Sequence, residues 1–291
     1  MAAGGPLLYD LCFWLESRFG VTATVLLGTQ GWNYPAWVGP FYPLGTRQAD
    51  WLGTYTRAFS TVEVDSTFYA VPTEPVVAAW RARAPDGFLF SLKIPQEITH
   101  ERRLTDCEPL LTRFCRRAAI LGPALGPLMI QLSPDFRPAQ ATHETLGGFL
   151  AVLPQGYRWA IEFRHPEWLT QGTLEALRAH NVALVLADSR WIRRGVILDL
   201  ALEPTADFAY VRWIGPNRRF TDYSRVQADR DYEMGLWATA LEGLSRRVKT
   251  VFGYFNNQYQ GHAPHSVRTM QQYLGQAPVE PVTLREQAEL F

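Results

Sequence analysis

Eight short β-rich runs alternate with helix-like segments along the 291-residue chain, and this alternation predicts an α/β fold. Consecutive runs are about 32 residues apart, which is the size of one strand–helix unit. No Ser/Gly-rich linker or low-complexity tract divides the chain, and 47% of its residues are hydrophobic, enough for a large core. These observations predict a single TIM-type (β/α)8 barrel with an N-terminal extension.

The predicted elements follow one another in chain order after residues 1–22, which we interpret as the extension; the barrel is expected to occupy 23–291. Strands are predicted at 24–28, 61–65, 88–93, 127–132, 157–163, 182–187, 208–213 and 249–255. Helices are predicted at 48–59, 74–84, 107–121, 140–152, 167–180 and 225–247, with a terminal helix at 264–274. The pattern of residues 191–207 does not decide between a helix and a loop.

Composition limits the function classes. The 28 basic and 28 acidic side chains give a formal net charge of zero, so no global basic excess favours nucleic acid or an anionic membrane. Three unclustered cysteines, Cys12, Cys107 and Cys115, form no disulfide framework and no C-x-x-C motif. No run approaches about 18 uninterrupted apolar residues, and the N-terminal segment lacks the basic region of a signal peptide. The sequence therefore predicts a cytoplasmic protein with no membrane partner.

Almost every predicted strand ends in a polar or charged residue that directly follows an apolar run. These residues are Thr29, Gln30, Glu63, Asp65, Lys93, Gln131, Glu162, Arg164, Asp188, Arg212, Asn256 and Asn257. The carboxyl ends of barrel strands meet at one mouth, where the active sites of such barrels lie. Because side chains alternate across a strand, Glu162 and Arg164 share a face and are expected to point into the barrel, as are Glu63 and Asp65. We therefore expect the ionic residues to converge in one pocket.

Basic residues in this set predict an anion site. Lys93, Arg164 and Arg212 are suited to hold a phosphate or a sugar phosphate, because a guanidinium binds such groups through two parallel hydrogen bonds. The polar and aromatic residues expected to complete the ligand site are Gln131, Asn256, Asn257, Asp65, Trp32, Tyr34 and Tyr69. Trp191 is also among the aromatic residues expected near the mouth. Trp37, Phe41 and Phe68 are expected to pack in a small loop core instead.

Acidic residues in the set predict proton transfer. The candidate catalytic residues are Glu162, Glu63, His100 and Asp188. Glu162 is the preferred general acid/base, since carboxylates among cations hold different pKa values and divide the two roles. The alternatives are that Glu162 only orients Arg164 or Lys93, and that the whole set is a structural salt-bridge network.

A divalent metal is a further alternative, because the same carboxylates and His100 include hard ligands. No H-x-H or H-E-x-x-H motif lies at a strand end, and three cations would compete with the metal. We therefore predict no cofactor.

A series of motifs, in order along the chain, resembles the YecE-like family, domain of unknown function 72. The motifs are GTQGWNYPAW (28–37), FYP (41–43), VEVDSTFY (62–69), FLFSLKIPQEITH (88–100), QLSPDF (131–136), IEFRHPEW (161–168), LADS (186–189), YVRWIG (210–215) and VFGYFNNQYQGHAP (251–264). The resemblance covers roughly 28–274. It implies a TIM-type barrel, remotely similar to xylose isomerases and endonuclease IV, with no assigned activity. The chain departs from the family pattern at Asp65, where asparagine is usual, and at Ser133, Trp213, Ile214 and Gly253.

The leading prediction is an enzyme that performs acid/base chemistry on a small anionic, phosphorylated or sugar-like substrate. Isomerase, lyase and hydrolase activities are not distinguished by the sequence. The alternatives are a protein that binds nucleotides or nucleic acid and processes phosphodiesters, similar to endonuclease IV, and a non-catalytic anion sensor.

Overall fold

A closed barrel of eight parallel strands, in the order β1 to β8, forms the centre of the protein. The computed structural model describes residues 23–216 and 219–289, with side chains described as far as Arg285, so the predicted extension 1–22 lies outside the described residues. The strands are β1 (Thr24–Gln30), β2 (Thr61–Val64), β3 (Leu89–Lys93), β4 (Leu125–Gln131), β5 (Trp159–Glu162), β6 (Val182–Ser189), β7 (Phe208–Gly215) and β8 (Thr250–Phe255). The barrel closes where β8 pairs with β1, with Val251 opposite Val25. The predicted TIM-type barrel is confirmed.

Helices surround the strands. They are Trp51–Ala58, Glu74–Arg83, Glu108–Ala118, Gln140–Ala151, Gln171–Ala179, Arg194–Leu200, Asp231–Ser245, Asn257–Gln260, Ala263–Tyr273 and Pro281–Glu289. The undecided segment 191–207 contains the helix Arg194–Leu200. The helix predicted at 225–247 begins only at Asp231, and the Asp229 carboxylate just before it accepts the backbone N–H of Asp231. None of the helices in the described ranges combines the length and apolarity that crossing a membrane requires.

The barrel interior is filled with side chains up to the level of the mouth. Its core consists of Met129, Ala160, Ala183, Val185, Ala187, Phe208, Tyr210, Phe252 and Tyr254. The large aromatic residues come from β7 and β8, and the alanines come from β5 and β6. Large side chains therefore fill the space that small ones leave, as interdigitating layers require. Because this core is closed, the open space along the barrel axis lies above it, at the carboxyl ends of the strands.

Two of the positions that depart from the family pattern, Trp213 and Gly253, lie against each other on the outer side of β7 and β8. The Trp213 ring stacks on Phe255 with 4.1 Å between centroids. A Cβ atom on Gly253 would lie 2.7 Å from Cζ3 of Trp213, closer than two carbon atoms can approach. The glycine thus makes room for the indole, and the two departures compensate each other.

Candidate functional site

A cavity of about 800 Å³ opens at the carboxyl ends of the strands. Its charged wall residues are Asp65, Lys93, Arg164, Arg190 and Arg212. Its other polar wall residues are Gln30, His100, Gln131, Ser189, Asn256 and Gln258, and its aromatic wall residues are Phe68, Tyr69 and Trp191. Four of the five charged side chains are cationic, so the wall itself favours an anion.

Arg212 lies at the base of this cavity, and only 2% of it is exposed. Its Nη2 donates to Oε1 of Glu63 at 2.7 Å, and its Nη1 donates to a carboxylate oxygen of Glu162. Both carboxylates are fully buried below the cavity wall. Nη1 also donates to Oε1 of Gln131 at 3.2 Å. One guanidinium therefore joins β7 to β2 and β5, and each buried charge has an opposite charge beside it, which offsets much of its desolvation cost.

The two carboxylates that share Arg212 have different pKa values. Burial raises the pKa of Glu63 to about 7 in spite of the neighbouring Arg212, and the negative charge of Asp65 adds to the increase. Burial also acts to raise the pKa of Glu162, but Arg212 and Arg164 together outweigh it and lower this pKa to about 2. The second cation beside Glu162 explains the difference, because an opposite charge favours the ionised form. Near neutral pH, Glu162 is a fixed anion and Glu63 exchanges a proton.

Arg164 and Lys93 present unused hydrogen-bond donors to the cavity. Arg164 donates through Nε to Oε1 of Glu162 at 2.8 Å, and its two terminal amino groups make no hydrogen bond within the described part of the chain. The Nζ atom of Lys93 lies 3.6 Å from Oδ1 of Asp65, beyond hydrogen-bond distance, and 4.0 Å from the centre of the Phe68 ring. Burial lowers the pKa of Lys93, although Asp65 opposes the shift. These donors are placed to bind an oxyanion.

His100 is a titratable group on the cavity wall. It lies in a short π-helical turn, Glu97–Glu101, which follows β3. Its Nδ1 hydrogen-bonds to Oγ1 of Thr99 at 2.8 Å, and its ring packs edge-on against Phe68. Burial lowers the pKa of His100, and the positive charges of Arg164 and Lys93 lower it further. The imidazole is therefore neutral at pH 7 and can accept a proton.

Backbone strain accompanies the His100 turn. Arg103, Leu104 and Asp106 have positive φ angles of 51°, 70° and 48°. Such angles are unfavourable for side-chain-bearing residues and persist where the surrounding structure imposes them. Here, Nη1 of Arg103 donates to Oδ2 of Asp135 at 2.8 Å. The loop that carries His100 is thus fixed to the loop after β4.

The prediction that Asp188 points into the mouth is wrong. Its Oδ2 accepts hydrogen bonds from Nε of Arg194 and Nε1 of Trp237, both at 2.8 Å, on the helix side of β6. The inward positions of this strand are the alternate residues Ala183, Val185 and Ala187. Asp188 follows Ala187 and therefore faces outward.

Three residues expected to bind ligand lie outside the cavity wall. Asn257 is buried, where its Oδ1 accepts from Nε1 of Trp37 at 3.1 Å and from the backbone N–H of Ala263 at 2.9 Å. The Trp32 ring packs against Trp80 with 5.8 Å between centroids. Tyr34 donates its hydroxyl to the backbone carbonyl of Gln30 and packs on Trp37. These contacts join the loop after β1 to the segment after β8 and to the helix Glu74–Arg83. None of the three residues lines the cavity, and their role in ligand binding stays a prediction.

Phe68 lies in a different place from Trp37 and Phe41, with which the sequence prediction grouped it. Trp37 and Phe41 are fully buried in the loop core, where their rings are 5.8 Å apart. Phe68, assigned by the sequence to the same core, instead lines the cavity beside Lys93 and His100.

The predicted site residues do not include Arg190, Gln30 or Gln258, and Trp191 is predicted only as an aromatic residue near the mouth. The guanidinium carbon of Arg190 lies 4.3 Å and that of Arg164 5.7 Å from the centre of the Trp191 ring. Oε1 of Gln30 accepts from Nδ2 of Asn256 at 2.8 Å, which orients both amides. Gln30 is one of the polar residues at the strand ends, so the sequence pattern could have identified it as a site residue. Trp191 lies in the segment that the sequence left undecided.

Ligands for a metal ion do not cluster here. Across residues 23–216 and 219–289, no group of three or more His, Cys, Asp or Glu side chains is placed to hold one. The two cysteines in these ranges, Cys107 and Cys115, are buried and unpaired.

Comparison with known proteins places the barrel in a family. Residues 26–289 match the family described as "Protein of unknown function DUF72". The chain belongs to this family. The predicted YecE-like relationship is thereby confirmed. The UPF0759 protein YecE of Escherichia coli K12 is 34% identical to this DUF72 chain over 171 residues, which is 57% of the chain and 60% of YecE. The match therefore spans less than two thirds of that relative's length.

Two further relatives match this DUF72 chain over more of its length. The UPF0759 protein YunF of Bacillus subtilis 168 is 23% identical over 280 residues, covering 86% of this chain and 94% of YunF. The crystal structure of a DUF72 family protein from Thermotoga maritima superimposes with a TM-score of 0.73 at 26% identity, covering 87% of this chain and all of that one. The barrel geometry is thus common to a solved family member.

Proposed function

We propose that this DUF72 chain is a cytoplasmic enzyme that binds a small anionic, phosphorylated or sugar-like substrate at the barrel mouth and transfers protons on it. The observation that carries the proposal is the set of unused donors on one wall. The terminal amino groups of Arg164 and the ammonium of Lys93 face the same cavity without a hydrogen-bonded partner in the described residues. A phosphate or carboxylate would satisfy both.

The buried carboxylates support this anion site from below. Glu162 and Glu63 do not reach the cavity wall, so we assign them to fixing Arg212 and the Nε side of Arg164. Their role in the proposal is to hold the guanidinium groups in one orientation before the ligand arrives. Such pre-organisation lowers the entropy cost of binding.

Proton transfer falls to the titratable groups that face the cavity. His100 is neutral near pH 7 because its pKa is lowered, and it can therefore act as the general base. The Asp65 carboxylate lies on the same wall, 3.6 Å from the Lys93 ammonium. Amide groups of Gln30, Gln131 and Asn256 are placed to bind substrate hydroxyls.

Calorimetric titration with inorganic phosphate and a sugar phosphate tests the anion site. Arg164→Gln removes the two terminal amino groups that face the cavity. We expect it to weaken anion binding about tenfold or more, because a charge-assisted hydrogen bond contributes about that much to affinity. Arg178→Gln is the matched control, because Arg178 pairs with Glu203 away from the cavity. If the wild-type protein binds no anion, or if both variants bind like wild type, the proposal is wrong.

Turnover is tested separately by NMR on a panel of phosphorylated sugars. His100→Gln should keep anion affinity and lose roughly 10²- to 10⁴-fold in rate, the usual contribution of a positioned acid/base. His180→Gln, a change at an exposed histidine, should keep both the anion affinity and the rate. Binding by the wild type with no turnover on any compound would favour the anion sensor over the enzyme.

Nucleotide or nucleic-acid binding is the second candidate, favoured by the Trp191 ring beside Arg164 and Arg190 at the mouth. An aromatic face next to guanidinium groups is suited to stack on a base and to hold its phosphate. This candidate predicts binding of single-stranded oligonucleotides that weakens steeply as salt rises. Absence of such binding at low salt would remove it.

A further inference from the structure

A second cavity, of about 430 Å³, adjoins the barrel mouth. It lies between the loops after β2 and β3 and the helix Glu108–Ala118. Its wall includes Tyr69, Pro72, Pro95 and the charged residues Glu97, Glu101, Arg113 and Arg117. Tyr69 belongs to the walls of both cavities, so its ring forms their common edge.

Tyr69 is unusually open for an aromatic residue, with 72% of its surface exposed. Its ring packs edge-to-face on Phe68 at 5.4 Å, and Phe68 in turn lies 4.0 Å from the Lys93 ammonium. A continuous aromatic ridge therefore runs from the cation of the first cavity to the edge of the second. An exposed aromatic face of this kind is a surface on which a flat or sugar ring stacks.

The charges of the second cavity are balanced. Glu97 is engaged by Arg102, with Nη2 to Oε1 at 2.8 Å, and Arg117 is engaged by the Glu74 carboxylate. Arg113 and Glu101 remain, both exposed and both without a side-chain hydrogen bond within the described residues. The Arg113 guanidinium can donate, and the Glu101 carboxylate can accept, hydrogen bonds to the hydroxyls or ring edge of a neutral group. Pro72 and Pro95 line the same cavity. A second phosphate would gain little from a wall of this composition.

We infer that the ligand of the barrel mouth is an anion linked to a neutral ring, which crosses Tyr69 and occupies the second cavity. This inference rests on the proposed function, because the anionic end is the group that binds Lys93 and Arg164. The shared chemistry is a ring-bearing phosphate ester, and its source is either a sugar phosphate or a nucleotide.

A nested ligand series tests the inference: inorganic phosphate, ribose 5-phosphate and adenosine 5′-monophosphate, each titrated calorimetrically. We expect at least one ester to bind about fivefold or more tightly than phosphate, which is the lower end of an aromatic stacking contribution. A gain at ribose 5-phosphate assigns the ring to a sugar, and a gain only at the nucleotide assigns it to a base. Tyr69→Ala should remove the gain, which is measured in each variant relative to that variant's own affinity for inorganic phosphate.

Matched controls separate these effects from general surface changes. Tyr232→Ala alters a tyrosine that is 77% exposed and lines neither cavity, so it should keep the gain. Arg113→Gln should reduce the gain, whereas Arg116→Gln, on the same helix but outside the cavity wall, should not.

Two results would overturn the inference. If both esters bind no more tightly than phosphate, or if the gain survives both Tyr69→Ala and Arg113→Gln, the second cavity takes no part while the anion site stands. If the wild type binds neither phosphate nor the esters, the proposed function fails, and the inference fails with it.

Discussion

Replacing Arg212 by methionine should destabilise the protein strongly at pH 8. The substitution keeps the apolar stem and removes the guanidinium that pairs with Glu63 and Glu162. Glu63 then loses its direct cationic partner, whereas Glu162 keeps Arg164. Removing one partner of a buried ion pair costs about 3–5 kcal/mol. Against a typical total of about 5–15 kcal/mol, this is a large fraction of the free energy of unfolding.

Urea unfolding followed by circular dichroism measures this loss, with the slope against urea checked for constancy. Arg190→Met is the matched control, because Arg190 lines the same cavity but is exposed and makes no ion pair within the described residues. We expect it to change the free energy of unfolding by no more than about 0.5 kcal/mol.

A rescue variant identifies the cause of the loss. Combining Arg212→Met with Glu63→Gln removes the unpaired charge and should restore part of the lost stability. Wild-type stability of Arg212→Met at pH 8 would refute the reasoning, and so would a double variant less stable than Arg212→Met.

Three further predictions concern other contacts. Because burial raises the pKa of Glu63 from its ordinary 4.5 to about 7, its ionisation opposes folding. Wild-type stability relative to Glu63→Gln should therefore be highest below pH 4.5 and fall by about 3 kcal/mol as pH rises through 7, measured by urea unfolding across that range. Gly253→Val should cost about 1–3 kcal/mol through its clash with Trp213, and a double-mutant cycle with Trp213→Leu should show a coupling above about 0.5 kcal/mol; simple additivity would contradict it. Tyr55→Phe should cost about 1–3 kcal/mol, because the buried backbone N–H of Thr29 loses its acceptor; an unchanged thermal midpoint would count against that contact.

The barrel and much of its mouth were predictable because the relevant signals are local. The apolar runs predicted the strand positions, and alternation placed Glu162 and Glu63 on inward-facing positions. Asp188 shows the limit of this reasoning. The run VALVLADS is apolar on both faces, as in any buried parallel strand, so it contains no alternation that could set which residues face inward. Shifting the strand register by one residue turns every side chain to the opposite face of the sheet, and only pairing with the neighbouring strands fixes the register.

How deep a site residue lies below the cavity wall, and which path a loop takes, could not be predicted from the local sequence for a different reason. Glu63 and Glu162 were expected at the site, but whether a carboxylate reaches the wall or stays beneath it depends on the side chains packed above it, here Arg212. Phe68 and Trp191 lie in loops, whose path is set by contacts with distant segments. An aromatic residue after a strand therefore gives no indication whether it packs in a loop core or on the ligand side.

The bridge made by Arg212 has a consequence for how this scaffold accommodates different ligands. It ties β7 to β2 and β5, strands that are not neighbours in the sheet, and so triangulates the rim of the barrel. A rim braced across three strands resists deformation, and replacing Arg212, Glu63 or Glu162 alone leaves a buried charge without one of its partners. Adaptation to new ligands is therefore expected in the replaceable loops around Tyr69 and Trp191, above a frame that stays the same.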